Sequence, residues 1–332
     1  MKVIADEAVP YLRGVLEPFA EVVYMPGSAI DSNVCRDADA LIIRTRTKCD
    51  AKLLGCSRVS FIGTATIGID HINRDYCAAN GIEAVNAPGC NSSAVQQYIA
   101  TALLKIAELK DINLKGKTLG IVGVGHVGSR VKRVAEWIGM KTILNDPPLE
   151  ACGGSGFSFV QLPELLDRCD AVTLHVPLDK TTFHLADSGF FRTLGHGKIF
   201  INASRGEVAD GGAILDYSAK ALAEVIDVWP GEPAISLDLL RAVDIATPHI
   251  AGYSMQGKIN GTVAVVRDLA RHFGIVPLLD FALPPKIKTV DDPKEIPALY
   301  DIMADDAALR MHPEKFEDLR NKYDYRYEFI FD

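Results

Sequence analysis

Eleven residues, Thr118-Leu-Gly-Ile-Val-Gly-Val-Gly-His-Val-Gly128, restrict the folds open to this chain more than any other stretch. Thr118–Val122 is short and mostly apolar, as a strand buried on both faces must be. Gly123, Gly125 and Gly128 follow with the spacing G-x-G-x-x-G, and over 126–138 Val127, Val131, Val134, Ala135 and Ile138 recur at helical intervals. A glycine triplet alone says little. Strand, tight turn and helix in that order form the context of a dinucleotide-binding turn. Its glycines let the backbone approach a pyrophosphate, and the helix start offers N–H groups and the positive end of a dipole.

A second strand over 141–144 ends at Asn145-Asp146, with Asp146 18 residues past Gly128. An acid near that position bonds a ribose hydroxyl and repels a 2′-phosphate, so the pattern reads as NAD and not NADP. The plainer reading, that Asp146 only starts the turn Asp146-Pro147-Pro148, stays open.

Residues 1–90 alternate short apolar runs (3–5, 22–24, 40–43, 59–62, 83–85) with helical patterns over 9–19 and 71–80. That alternation predicts a parallel sheet covered by helices. A long helix over 92–109 leads into six strand patterns, the two above and those at 171–174, 198–201, 224–226 and 244–245. A helix over 255–273 returns the chain to the first domain. The expectation is an α/β protein with two doubly wound, Rossmann-like parallel-sheet domains and a small C-terminal α+β element. Residues 1–92 with 255–276 would bind substrate and 93–254 would bind NAD. Residues 277–332, with helices near 296–310 and 313–323 and an edge strand at 325–329, would serve dimerisation.

A chain of 332 residues has room for this arrangement. Its net charge of −8 argues against a general nucleic-acid surface. No apolar run reaches the roughly 18–20 residues of a membrane span, and the N-terminus reads as a first strand, not a secretion signal. The seven cysteines are scattered, without C-x-x-C or zinc-ligand spacing. No metal is expected, and the thiols read as reduced, buried side chains of a cytoplasmic protein. Cys90 lacks a partner base for a nucleophilic role.

Arg205, Glu232 and His249 each follow one of the late strands. In a parallel sheet those strand ends share the edge where ligands bind. A guanidinium holds a carboxylate in a bidentate fork, and an imidazole takes a hydroxyl proton near neutral pH. A carboxylate on the other ring nitrogen orients the imidazole and favours its charged form. Asp227 would lie near the nicotinamide, where negative charge favours the oxidised ring. Singly, each has a duller reading as a capping arginine, a loop acid or a turn histidine. Together on one edge they read as the machinery for oxidising a 2-hydroxy acid.

Gly123–Gly128, Asn202-Ala-Ser-Arg-Gly206, Asp227-Val-Trp-Pro-Gly-Glu-Pro233 and Thr247-Pro-His-Ile-Ala-Gly-Tyr253 resemble the D-isomer-specific 2-hydroxyacid dehydrogenases. Gly63-Thr-Ala-Thr66, Ala87-Pro-Gly-Cys-Asn91, Asp146-Pro-Pro148 and His249–Tyr253 resemble one branch of that family, over about residues 1–275. The resemblance implies NAD-dependent oxidation of 4-phospho-D-erythronate to 2-oxo-3-hydroxy-4-phosphobutanoate in vitamin B6 synthesis, by a homodimer. It implies catalytic roles for Arg205, Glu232 and His249. Cofactor contacts fall on Gly123, Gly125, His126, Val127, Gly128, Asp146, Val176, Pro177, Ala203, Asp227 and Gly252. Substrate contacts fall on Arg44, Thr45, Thr66 and Tyr253, with Thr45 standing where serine is common. Gln97 departs from the pattern, in a place where relatives often carry an acid.

A phosphorylated hydroxy acid carries about three negative charges, so local positive charge must outweigh the global sign. Arg44, Arg46 and Lys48 alternate after a strand and would line one side of a cleft between the domains; solvated surface charges are the alternative for Arg46 and Lys48. Rival functions are another dehydrogenase of the family, acting on 3-phosphoglycerate or glycerate, and a dinucleotide-sensing binding protein.

Overall fold

The computed structural model describes residues 1–153 and 156–331. They form two compact units: Met1–Asn91 with Ser254–Lys286, and Ser92–Tyr253 with the chain from Ile287 onward.

In the first unit, β1 (Lys2–Asp6), β2 (Glu21–Met25), β3 (Ala40–Ile43), β4 (Phe61–Thr64) and β5 (Glu83–Val85) make a parallel sheet in the order β2-β1-β3-β4-β5. The β3 and β4 strands are buried along their whole length, as strands covered on both faces are. The helix Met255–Phe273 starts at Ser254, whose hydroxyl accepts from the Gly257 N–H, and stops at Gly274 in the left-handed region. It rides close on β4, because a Cβ at Gly63 would stand 3.2 Å from that of Val265.

The helix expected over 9–19 does not form; the segment is a run of turns. Pro10, Gly14 (φ 83°) and Pro18 interrupt it. Val9, Leu12 and Leu16, whose spacing imitates a helix, are buried anchors of those turns, closed by Val15 N–H to Leu12 O and Phe19 N–H to Leu16 O.

In the second unit, β6 (Thr118–Val122), β7 (Lys141–Asn145), β8 (Ala171–Leu174), β9 (Ile199–Asn202), β10 (Ala223–Ile226) and β11 (Ile245–Ala246) are parallel, in the order β11-β10-β9-β8-β6-β7. Strand order reverses between β6 and β8, where open α/β sheets leave a crevice for ligands. Side chains alternate between the faces. Ile121, Ile201 and Val225 meet the helices Ser92–Leu109 and His126–Ile138, while Val172, Phe200 and Ile226 meet Leu165, Phe191 and Ile214 on the other side.

The tail is more divided than expected. The helical stretch 296–310 splits into Ile296–Leu299 and Ile302–Met311, because Asp301 caps the second piece by accepting from the Met303 and Ala304 N–H groups. The edge strand appears as β13 (Glu328–Ile330), paired in parallel with β12 (Ile287–Thr289). The pattern gave no hint of β12, which follows Pro284-Pro285. Rather than standing apart, the tail shares the second unit's cores: Leu309 and Phe316 join one, Tyr300 and Ile302 the other. The buried Asp306 accepts from the Ala246 N–H at 2.7 Å, which closes part of the open edge of β11. Among the cysteines, Cys56 and Cys152 are exposed, contrary to the expectation of burial.

Candidate active site

The glycine turn follows β6 directly. Gly123 takes φ 88°, and a Cβ there would meet the His175 carbonyl at 2.5 Å. Gly128 lies tighter still, with a Cβ 2.0 Å from the Gly123 oxygen, so only hydrogen fits between helix and turn. A Cβ at Gly125, by contrast, meets nothing within 4 Å. Gly125 is also the N-cap of His126–Ile138 and offers no side chain to its first N–H groups. Open space before uncapped amides fits a dinucleotide pyrophosphate. His126 is exposed, while Val127 and Ala203 are half-buried and pack on the core. Val176 packs on the opposite core, and Pro177 is exposed after β8. His175 between these elements is pushed down to about 3 by burial and is neutral at pH 7.

Asp146 starts the turn, as its plainer reading has it. One oxygen accepts from the Leu149 N–H at 3.0 Å and caps the helix Pro147–Ala151. The other accepts from the Val124 N–H at 2.7 Å, inside the glycine turn. The carboxylate is only half-buried and retains lone pairs for a ribose.

Arg205, Glu232 and His249 follow β9, β10 and β11, three adjacent parallel strands. The Asn202 side chain folds the first turn: its oxygen accepts from Ser204 N–H (3.1 Å) and hydroxyl (2.8 Å), and its amide donates to Arg205 O (3.0 Å). Gly206 then lies so close to the next loop that a Cβ would meet Trp229 O at 2.1 Å. That loop delivers Glu232, which accepts from the Trp229 N–H at 2.8 Å and pairs its other oxygen with His249 Nδ1 at 2.7 Å. Burial pushes the Glu232 carboxyl up, but the His249 bond and charge, the Trp229 N–H and Arg320 outweigh it, holding it below its usual range. The half-buried Arg205 donates to Ser204 O at 2.7 Å. His249 sits at φ 57°, a backbone state rarely adopted by a residue with a side chain.

That strained position is held by Asp227, which is 1% exposed. Its carboxylate accepts from the Thr247 hydroxyl (2.6 Å) and the N–H groups of Ile250 (2.8 Å) and Ala251 (2.9 Å), and its carbonyl accepts from the His249 N–H (2.7 Å). Burial pushes the Asp227 carboxyl up against the opposing effect of the His249 charge and these donors. Asp227, expected beside the nicotinamide, thus spends its carboxylate on the loop that carries His249. Gly252 and Tyr253 end that loop, with the Tyr253 ring edge-on to Tyr323 and Tyr325.

The remaining substrate residues lie in the first unit. Arg44 donates to Ala8 O at 3.3 Å, Thr45 is exposed in the turn after β3, and the Thr66 hydroxyl bonds Thr64 Oγ1 (2.8 Å) and Gly68 O (3.1 Å). The alternating basic row does not form, because Arg44–Thr47 is a turn, closed by Thr47 N–H to Arg44 O. Lys48 is instead paired with Asp50 at 3.6 Å.

Two tail arginines carried no signal in the sequence. Burial lowers Arg320, but Tyr253, Glu232 and Glu317 more than offset it and hold its charge in place. Arg326 reaches the carbonyls of Ile250 and Ala251. Each follows a charged or aromatic pattern that reads equally well as a solvated helix or edge strand.

Residues 93–251 match the family described as D-isomer specific 2-hydroxyacid dehydrogenase, NAD binding domain. A protein of Bacteroides fragilis named erythronate-4-phosphate dehydrogenase is 45% identical, over 99% of this chain and 97% of that one. Its counterpart of the same name in Escherichia coli O157:H7 is 41% identical, over 97% of this chain and 91% of its own length. The chain belongs to the erythronate-4-phosphate dehydrogenases. These form a branch of the D-isomer-specific 2-hydroxyacid dehydrogenases, so the chain is an NAD-dependent oxidoreductase. Among solved structures, the NAD-bound 3-phosphoglycerate dehydrogenase of Entamoeba histolytica superposes with a TM-score of 0.71 at 25% identity, covering 86% of this chain and 98% of that one.

Proposed function

We propose that the chain oxidises 4-phospho-D-erythronate to 2-oxo-3-hydroxy-4-phosphobutanoate with NAD, in vitamin B6 synthesis. The observation that carries this reading is the 2.7 Å pairing of Glu232 with His249 Nδ1, on the same sheet edge as Arg205 and the glycine turn. With Nδ1–H held by Glu232, Nε2 is the nitrogen that takes the substrate hydroxyl proton. The Glu232 carboxylate then stabilises the imidazolium. Arg205 grips the substrate carboxylate and polarises the reacting oxygen. Bound NAD supplies the hydride acceptor. Arg44, Thr45, Thr66 and Tyr253 are assigned to the substrate, and the other expected cofactor contacts to the dinucleotide. The same reading includes a homodimer and a cytoplasmic location.

The test compares wild type with Arg205→Ala and His249→Ala on 4-phospho-D-erythronate, with a 2-oxo acid present to reoxidise any retained NADH. Wild type turns over, and each variant loses at least about 100-fold in kcat/KM. Unchanged rates in both variants refute the site. A higher specificity constant for 3-phosphoglycerate or glycerate refutes the substrate.

A further inference from the structure

We propose that Arg326, in the tail, is a positioning residue for the dehydrogenase reaction and works with Asp227 through a shared peptide group to fix His249. The proposal rests on the role of His249 given above. Arg326 is 7% exposed, and its guanidinium stands 4.4 Å from the Tyr300 ring centroid. One terminal nitrogen donates to Ile250 O at 3.0 Å and Tyr323 OH at 3.3 Å, and the other to Ala251 O and to Ala94 O at 3.2 Å. Among the described residues no acid is bonded directly to it; Asp305 stands behind the Tyr323 hydroxyl, which donates to that carboxylate at 3.1 Å.

A second carboxylate, Asp227, is reached through the backbone. The Ile250 carbonyl and the Ala251 N–H belong to one peptide group. Its oxygen accepts from Arg326 (3.0 Å), and its N–H donates to Asp227 (2.9 Å). A buried cation and a buried anion therefore bracket a single peptide dipole, each satisfying the end of opposite sign. The next carbonyl, Ala251 O, goes to Arg326 and the preceding N–H, that of Ile250, to Asp227. The Ile250–Ala251 peptide is thus pinned from both sides, the peptide before it at its N–H and the one after it at its carbonyl, which keeps the His249 backbone at φ 57°. The fork is what the site uses: one side chain meets three carbonyls whose directions differ, which a single ammonium cannot match. Asp227 alone holds the two N–H groups and leaves the Ala251 carbonyl free to turn.

Loss of that bracket lets the imidazole swing away from the substrate hydroxyl, and a misplacement of about 1 Å costs about 100-fold in rate. In Arg326→Met, kcat with the hydroxy-acid substrate falls about 10- to 100-fold, KM for NAD stays within about threefold, and the primary deuterium isotope effect rises, because hydride transfer is no longer poised. Arg326→Lys recovers part of the loss. Combined with Asp227→Asn, Arg326→Met costs far less than the product of the two single losses, since both act on one peptide. The downfield proton resonance of the His249 Nδ1–H bonded to Glu232 shifts or broadens in Arg326→Met, a signal that needs no turnover.

A variant that melts earlier but keeps kcat, isotope effect and the His249 resonance overturns the proposal and makes Arg326 a mere brace. Independent, multiplicative losses with Asp227→Asn overturn it too. If Arg326→Met does not fold, Arg326→Lys decides by the same readings. If wild type oxidises no hydroxy acid, the functional reading fails, while the His249 resonance still tests the bracket.

Discussion

The glycine turn allows fold and cofactor binding to be separated by two methyl groups placed three residues apart. At Gly125 the new Cβ meets nothing within 4 Å, although φ −71° and ψ −149° lie outside the regions a residue with a side chain favours. Weaker N-capping and this backbone strain together cost Gly125→Ala about 2 kcal/mol of stability. The methyl group nevertheless occupies the space before the uncapped amides of 126–128. If it displaces two charge-assisted hydrogen bonds worth about 1.5–3 kcal/mol each, the loss is about 3–6 kcal/mol, at least 100-fold in NAD affinity. At Gly128 the Cβ would stand 2.0 Å from Gly123 O and 3.2 Å from the Ile121 side chain. Helix and turn must part by more than 1 Å to accept it, an overpacking cost of about 3 kcal/mol. Urea unfolding and NADH fluorescence titration of both variants give four numbers. Gly125→Ala loses affinity with a smaller drop in midpoint than Gly128→Ala, which loses both. Wild-type affinity in Gly125→Ala, or a wild-type midpoint in Gly128→Ala, refutes the assignment of the turn.

Asp146→Asn keeps a carbonyl oxygen for one of the two N–H groups now bonded to the carboxylate but removes its charge. The NAD-to-NADP affinity ratio then falls about tenfold or more, and an unchanged ratio rejects the ribose role. Glu224, nearly buried in β10 and bonded to Ser218, is raised from its usual 4.5 to about 7 by burial. The folded state therefore holds the proton more tightly than the unfolded chain, and stability falls as pH rises between about 4.5 and 7, by up to about 3 kcal/mol. Glu224→Gln flattens that slope in urea titrations at pH 5 and pH 8, and an unaltered slope excludes Glu224 as its cause.

Elements with strong local periodicity were legible: the expected helices at 92–109 and 255–273 coincide with those observed, and all six strands of the second sheet were foreseen to within two residues. The pairing of Glu232 with His249 was legible for a topological reason, since parallel strands bring their carboxyl ends to one edge whatever the length of chain between them. Failures came where local pattern and tertiary context part. Val9, Leu12 and Leu16 have helical spacing, yet proline and glycine turn the segment into anchored turns. Asp227 stands at the expected strand end, and its bonds to the 250–251 backbone are a further task that no local pattern announces. Arg326 was invisible because nothing local marks a guanidinium whose partners lie 75 and 76 residues away.

The chain has two tryptophans, and their surroundings make them separate lamps. Trp229 donates its indole N–H to Thr247 O at 2.9 Å, at the root of the histidine loop, while Trp137 stacks on Phe331 at 4.5 Å, near the end of the tail. Emission from Trp229→Phe reports on the terminus alone, and emission from Trp137→Phe reports on the reactive corner alone. The two single-tryptophan variants side by side thus record optically which region loosens first under heat or denaturant.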